Sequence, residues 1–267
     1  MPEFRALVRC LMAQLKMEMT YRVNFWVGLV SQMVFSLLSI VFIDVFLPEG
    51  ARINGWGFWE IVFLLGVGDM TFGLSAILVF RSFLVFDSAY ILEGELDALL
   101  VQPVHPLFNL ILRNLNVNDV LTAVKGAIIV VIASIQAGFA WSPATFLLLL
   151  FGIGVGAATY CGIFILLLST GFWFARQSSI VAPLLSLNQL AQYPIFIYPE
   201  WLKIILSTIV PLGFVAYYPS EALLTAGGVL PGYALEGWVL LLLPLTVLLS
   251  AFLLFNLGLR RYSSAGS

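Results

Sequence analysis

The sequence predicts an all-α integral membrane protein with six transmembrane helices, and three observations carry that prediction. Of its 267 residues, 61% are hydrophobic and only 10% are charged, whereas soluble domains are nearer half apolar and a quarter charged. Mean hydropathy is +1.05. The apolar residues fall in runs of the length that a bilayer-crossing helix needs, about 20 residues, and the breaks between them are short and rich in Pro, Gly and charge. Because lipid offers backbone amides no hydrogen bonds, each run must satisfy its own, which makes it a helix.

The first segment, 1–22, differs from the runs that follow. Phe4, Leu7, Val8, Leu11, Leu15 and Met19 fall on one helical face, and Arg5, Arg9 and Lys16 fall largely on the other. That pattern suits a helix lying in the membrane interface, cations toward headgroups; the plainer alternative is a positive flank of the first span. The segment is not expected to be a secretory signal, since its charged part is long and the run after it has span length and no small-residue cleavage site. The six spans are expected at 23–47, 58–80, 120–140, 144–174, 179–197 and 234–258. Residues 140–143 allow only a hairpin between the third and fourth. The region 198–232 is broken by Pro211 and Pro219 into pieces too short to cross, which more often re-enter the membrane or lie on it. The whole chain reads as a single membrane domain without soluble module, repeat or low-complexity linker.

The longest interval within the apolar part that cannot be a span is 87–106, DSAYILEGELDALLVQPVHP. Ile91, Leu92, Leu96, Leu99 and Leu100 recur at helical spacing, and Glu93, Glu95 and Asp97 give an acidic face, so a short amphipathic helix is predicted. Asp87 or Ser88 would cap its start and Pro103 would end it. Such a helix held between spans suits contact with another protein; a solvated linker is the alternative. Lys and Arg concentrate in cytoplasmic loops. With the N-terminus inside, Arg5, Arg9, Lys16, Arg22, Arg81, Arg113, Arg176, Arg260 and Arg261 are cytoplasmic, and only Arg52 and Lys203 are external. Both termini and the 87–106 loop are therefore placed in the cytoplasm, and 198–232 outside.

Polar residues inside spans are the candidate functional groups. Asp69 falls near the middle of span two, where a carboxylate costs about 2.5–3.5 kcal/mol on insertion scales and needs a partner, a proton or a cavity. Either an ion pair with Lys125 on span three or a protonated carboxyl bonded to a backbone carbonyl would hold it. Asp44 lies near the outer end of span one. Ser186, Asn188, Gln189 and Gln192 mark span five; Asn188 and Gln192 are four apart and share a helical face, suited either to helix–helix contact or to a polar path. Gly152, Gly154 and Gly156 read as a helix contact, and His105, the only histidine, as a turn residue. Net charge is −2, which suggests no nucleic-acid partner. Cys10 and Cys161 are expected in no disulfide, and neither they nor a lone His offers a metal site. The phosphate-binding motif G-x-x-x-x-G-K-[ST] is missing, so ATP is not expected on this chain.

Gly66-Val67-Gly68-Asp69 matches the G-x-G-D signature of intramembrane aspartyl proteases, whose chemistry needs two carboxylates sharing a proton. Asp44, the only acidic group on the preceding span, sits at the wrong depth, and the Pro-Ala-Leu element of that family is missing.

A broader resemblance is carried by Tyr90–Phe108, together with Tyr21-Arg22-Val23-Asn24-Phe25, Gly171-Phe172-Trp173, Tyr193-Pro194 through Tyr198-Pro199, the Val210-Pro211 and Tyr218-Pro219 breaks, and the tail Arg261-Tyr262-Ser263-Ser264-Ala265-Gly266. In these the chain resembles ABC-2 type transporter permeases, most of all small bacterial permeases without a fused ATPase. The resemblance implies the membrane-spanning subunit of an ATP-driven exporter in the bacterial inner membrane. That subunit is not itself an enzyme; it forms half of a dimeric path with an identical or paralogous permease. Residues 1–22 would be an interfacial elbow helix and 198–232 paired external re-entrant helices. A coupling helix within 87–106 would dock on a separate ABC ATPase that carries ATP and Mg, through residues among Ile91, Leu92, Glu93, Glu95, Leu96, Asp97 and Leu100. Its acidity here suggests a basic rim on the ATPase groove. Asp69, Asn188, Gln189 and Gln192 would line the path. A proton-coupled carrier using Asp69 is a further alternative, weakened by the lack of an inverted repeat. The substrate is not encoded in any motif.

Overall fold

The computed structural model describes residues 22–47, 50–174, 186, 189–229 and 237–263. The predicted interfacial helix, with Arg5, Arg9 and Lys16, lies outside the described residues, as do 179–185, 187 and Asn188 of the expected fifth span. Among the described residues the fold is helical, with no β-strand beyond a single bridge between Ile53 and Trp56.

Helix α1, Arg22–Phe46, is followed by a tight turn in which Asn54 and Gly55 take positive φ. Helix α2, Phe58–Leu92, spans 35 residues. Its start is fixed by Glu60, which turns back to accept from the Gly57 amide at 3.2 Å and meets Arg52 at 3.4 Å. Two stretches of α2, Ala76–Phe80 and Phe86–Leu92, are wound as π-helix. The helix thus continues well past residue 80, where the second span was expected to end, and takes up the first residues of the 87–106 loop. Helix α3, Glu95–Leu100, begins only after Gly94 (φ +78°), so the break falls at Gly94 rather than at Asp87 or Ser88. Glycine is suited to that left-handed backbone.

Helix α4, Pro106–Arg113, was not anticipated from the Pro-rich bracket. Pro106 opens it at the first helical position, where a missing N–H costs nothing, and the His105 ring accepts from the Leu107 amide at 3.3 Å. Helix α5, Val120–Gln136, is apolar and has 17 residues. Helix α6, Pro143–Phe172, starts from a capping box: Ser142 Oγ accepts from the Thr145 amide at 3.1 Å, and Thr145 Oγ1 accepts from the Ser142 amide at 2.8 Å.

The described end of the expected fifth span departs from prediction. The chain leaves the helical path at Ala191 and turns ahead of Pro194, whose ring has no N–H to continue a helix. Gln192 therefore sits in a turn, not on a helical face. Helices α7, Glu200–Ile209, and α8, Leu212–Ala226, meet at 74° across a short break at Pro211, the shape of a broken span or a re-entrant loop. Helix α9, Gly237–Arg261, carries Pro244 and ends on two arginines.

Among the described residues four helices, α1, α2, α6 and α9, are long and apolar enough to cross a membrane, and the α7–α8 pair makes up to five. Helix α5 is near the shortest length that still spans. The core is built mainly on two helix pairs, α2 with α5 and α6 with α9. Both rely on glycine at the crossing. A Cβ on Gly126 would lie 2.6 Å from the Gly66 carbonyl oxygen and the Met70 amide, one on Gly73 would lie 2.5 Å from the Ala123 amide, and one on Gly162 would meet Val247 and Leu248. Helix α1 is different: Trp26, Val30, Phe35, Leu38 and Val45 are all exposed, leaving an apolar surface for lipid or another chain.

A charged cavity and a braced loop

The α2–α5 crossing sets up the cavity. Gly66, Gly73, Ala123 and Gly126 let the two backbones touch, and between these contacts Asp69 and Lys125 face each other. Lys125 Nζ lies 3.0 Å from Asp69 Oδ2, with side-chain exposures of 17% and 12%. Of the two arrangements that the sequence left open for Asp69, the ion pair is the one present. It opens onto a cavity of about 200 Å³.

Asp69, Lys125, Asp119, Gln32, Thr122 and Gln192 give the cavity its polar lining. Phe35, Phe72 and Tyr160 supply aromatic faces, while Gly68 and Ala191 leave it room. Thr122 Oγ1 donates to Gln32 Oε1 at 2.9 Å, a polar tie between α1 and α5. Asp119 accepts from Asn116 Nδ2 at 2.8 Å. The structure thus brings together two of the expected path residues, Asp69 and Gln192. Gln189 is exposed on the short helical stretch just before that turn. Gln32, Asp119, Thr122 and Tyr160 were missed. Each is unremarkable alone, and only the helix packing gathers them; the signal available was that Gln32 and Thr122 are uncharged polar residues inside apolar runs.

The neighbour of Asp69 is an ammonium, not the second carboxylate that a proton-sharing dyad needs, and Asp44 is exposed on α1. Asp69→Asn is accordingly expected to leave the pattern of peptide fragments from co-expressed membrane proteins unchanged. A fragment lost with that substitution, in protein that still extracts as a monodisperse species, would restore the protease reading.

At the far end of α2 the loop folds back on the bundle. Leu96 and Leu99 of α3 and Leu110 of α4 are fully buried. Tyr90 Oη accepts from Asn114 Nδ2 at 2.8 Å, and the Asn116 amide donates to the Ile77 carbonyl at 3.0 Å. His105 Nε2 lies 3.0 Å from Asn256 Oδ1 of α9, and its ring stacks on Phe252 at 5.1 Å. Just beyond α9, burial raises the Tyr262 phenol above its usual range, and the facing Asp97 carboxylate adds to the rise. His105 is therefore a turn residue, as its context predicted, and also ties the loop to the last helix.

Of the residues expected to dock a partner, Leu92, Glu93, Glu95 and Leu100 are exposed, Ile91 and Asp97 are half-buried, and Leu96 is buried in its own protomer. Val101, 86% exposed, extends the apolar edge. Among the described residues no group of His, Cys, Asp and Glu is arranged to hold a metal ion.

The described residues thus form a bundle of apolar helices with an ion-paired cavity among them and a loop packed against its end. Residues 33–266 match the family model described as ABC-2 family transporter protein, and the chain belongs to that family. No curated protein and no solved structure matches it. The family is a membrane component of transport, and its permeases work with ABC ATPase subunits.

Proposed function

We propose that this chain is the membrane subunit of an ATP-driven exporter, forming half of a dimeric path with a second permease and docking a separate ABC ATPase through 87–106. The observation that carries the reading is the mounting of α3. Its inner side, Leu96 and Leu99, is locked into the bundle, while Leu92, Glu93, Glu95, Leu100 and Val101 stand outward. A rigidly seated helix with an exposed apolar edge and acidic flanks can pass a push from a partner into α2, α4 and α9 without folding away. The acidic flank favours a basic rim on the ATPase groove.

Energy would enter as differential contact of the two nucleotide states with this edge, since a ligand shifts only an equilibrium that it distinguishes. The bent α7–α8 pair would be the external re-entrant element, and residues 1–22 the elbow helix. Both termini would lie in the cytoplasm of a bacterial inner-membrane protein, and ATP and Mg would reside on the partner.

The test is Leu100→Glu in the tagged full chain, co-expressed with an ABC ATPase of the same organism that co-purifies with the unaltered chain. Because Leu100 is exposed, the variant is expected to insert and fold normally yet lose most of the co-purifying ATPase. Retained ATPase with transport intact would remove the loop from its docking role. Leu96→Glu is unsuitable, since it buries a charge.

A further inference from the structure

We propose that the cavity beside Asp69 and Lys125 receives a zwitterionic group, an ammonium with a phosphate or carboxylate a few bonds away. This rests on the transport reading above and names the chemistry of what that path would recognise.

The argument begins with the pair itself. Asp69 and Lys125 are 3.0 Å apart and mostly shielded. A ligand carrying one charge, entering here, would take one member of the pair and strand the other in a medium that solvates it poorly. A zwitterion avoids that: its ammonium goes to the carboxylate and its anion to Lys125, so one ion pair is exchanged for two and no charge is left alone. The rest of the lining follows the same division. Asp119, a second carboxylate, is already engaged by Asn116 Nδ2 at 2.8 Å; a cation that met it alone would leave the pair intact, so a cationic probe is included in the test. Phe35, Phe72 and Tyr160 offer ring faces, which attract alkylammonium groups. The amides of Gln32 and Gln192 supply donors for the anion.

Size narrows the choice further. A volume of about 200 Å³ is below the roughly 300–1,000 Å³ of pockets that enclose whole drug-sized ligands. The cavity fits a headgroup or a small dipolar molecule, with any remaining apolar part outside it. Gln32 and Phe35 bring α1 to the rim, and α1 is the helix with the bare apolar surface, so a hydrocarbon tail would have apolar surface beside the opening. The same chemistry is offered by a zwitterionic lipid headgroup and by a free zwitterion such as a dipeptide.

The test is calorimetric titration of the purified full chain in a non-ionic detergent. Four probes are compared: dihexanoyl-phosphatidylethanolamine, glycylglycine, anionic dihexanoyl-phosphatidylglycerol and cationic hexyltrimethylammonium. At least one of the first two is expected to bind about tenfold tighter than both singly charged probes, and which one does so identifies the source. Asp69→Asn with Lys125→Gln is expected to erase the preference. The exchanged pair, Asp69→Lys with Lys125→Asp, keeps both charges and is expected to retain it. Equal binding of a singly charged probe, no binding of either zwitterion, or a preference unchanged in the neutral double variant would overturn the proposal. Any of these leaves ATPase co-purification intact, so this failure is distinct from failure of the exporter reading.

Discussion

Membranes expressing Gly126→Val are expected to contain little folded protein. The Cβ alone would sit 2.6 Å from the Gly66 carbonyl oxygen and the Met70 amide and 2.9 Å from Asp69 Cβ. Two of those three neighbours are backbone atoms of α2, so no side-chain rotation relieves the contact and the helices must separate. Overpacking of a tight interface costs about 3 kcal/mol or more in unfavourable cases, and this one also pulls Lys125 away from Asp69. The measurement is the monodisperse fraction on size exclusion after detergent extraction, with Gly154→Ala as the control. Gly154 belongs to the G-I-G-V-G run of α6, but nothing lies within 4 Å of its built Cβ, and it is expected to behave as wild type. Equal yields from both variants would show that α2 and α5 do not approach as described.

Lys125→Met is expected to destabilise the protein by about 3–5 kcal/mol, the usual cost of removing one member of a buried ion pair. The methionine fills much of the lost volume, so the loss comes chiefly from the Asp69 carboxylate left without its ammonium. Adding Asp69→Asn should therefore restore most of the stability, because the double variant leaves no unpaired charge where the ion pair was. Chemical denaturation midpoints of wild type, both single variants and the double variant form the thermodynamic cycle that measures this coupling. A double variant no more stable than Lys125→Met would mean that lysine packing, rather than its charge, is what matters at this site.

Much of the architecture was legible because lipid leaves a chain few options. Hydropathy and the Pro and Gly breaks placed α1, α5 and α6 within a few residues of their observed ends, and placed the α7–α8 break at Pro211. Asp69 stood out as a carboxylate in an apolar run, and Lys125 was its natural partner by depth. What remained hidden depended on tertiary contact. Periodicity treated Leu96 and Leu100 as one stripe, yet Leu96 is buried and Leu100 exposed, because a six-residue helix presents only one edge to the bundle. The α2 extension was masked by Arg81 and Asp87, which read as the end of a span, although Asp87 is buried. Helix α4 was hidden by two prolines that looked like a loop; one of them starts it. Gln32 and Thr122 became informative only once α1 and α5 were side by side.

The two π-helical stretches of α2 both lie between the ion pair and α3. A π turn holds a residue beyond the α-helical count, and each residue of an α-helix advances the side chains by about 100°. Shifting such a surplus along the helix would swivel a patch of side chains while the ends stay anchored. Movement between α3 and the charged chamber need not mean tilting a stiff rod: the shaft that joins them has two places where its winding leaves the α-helical count.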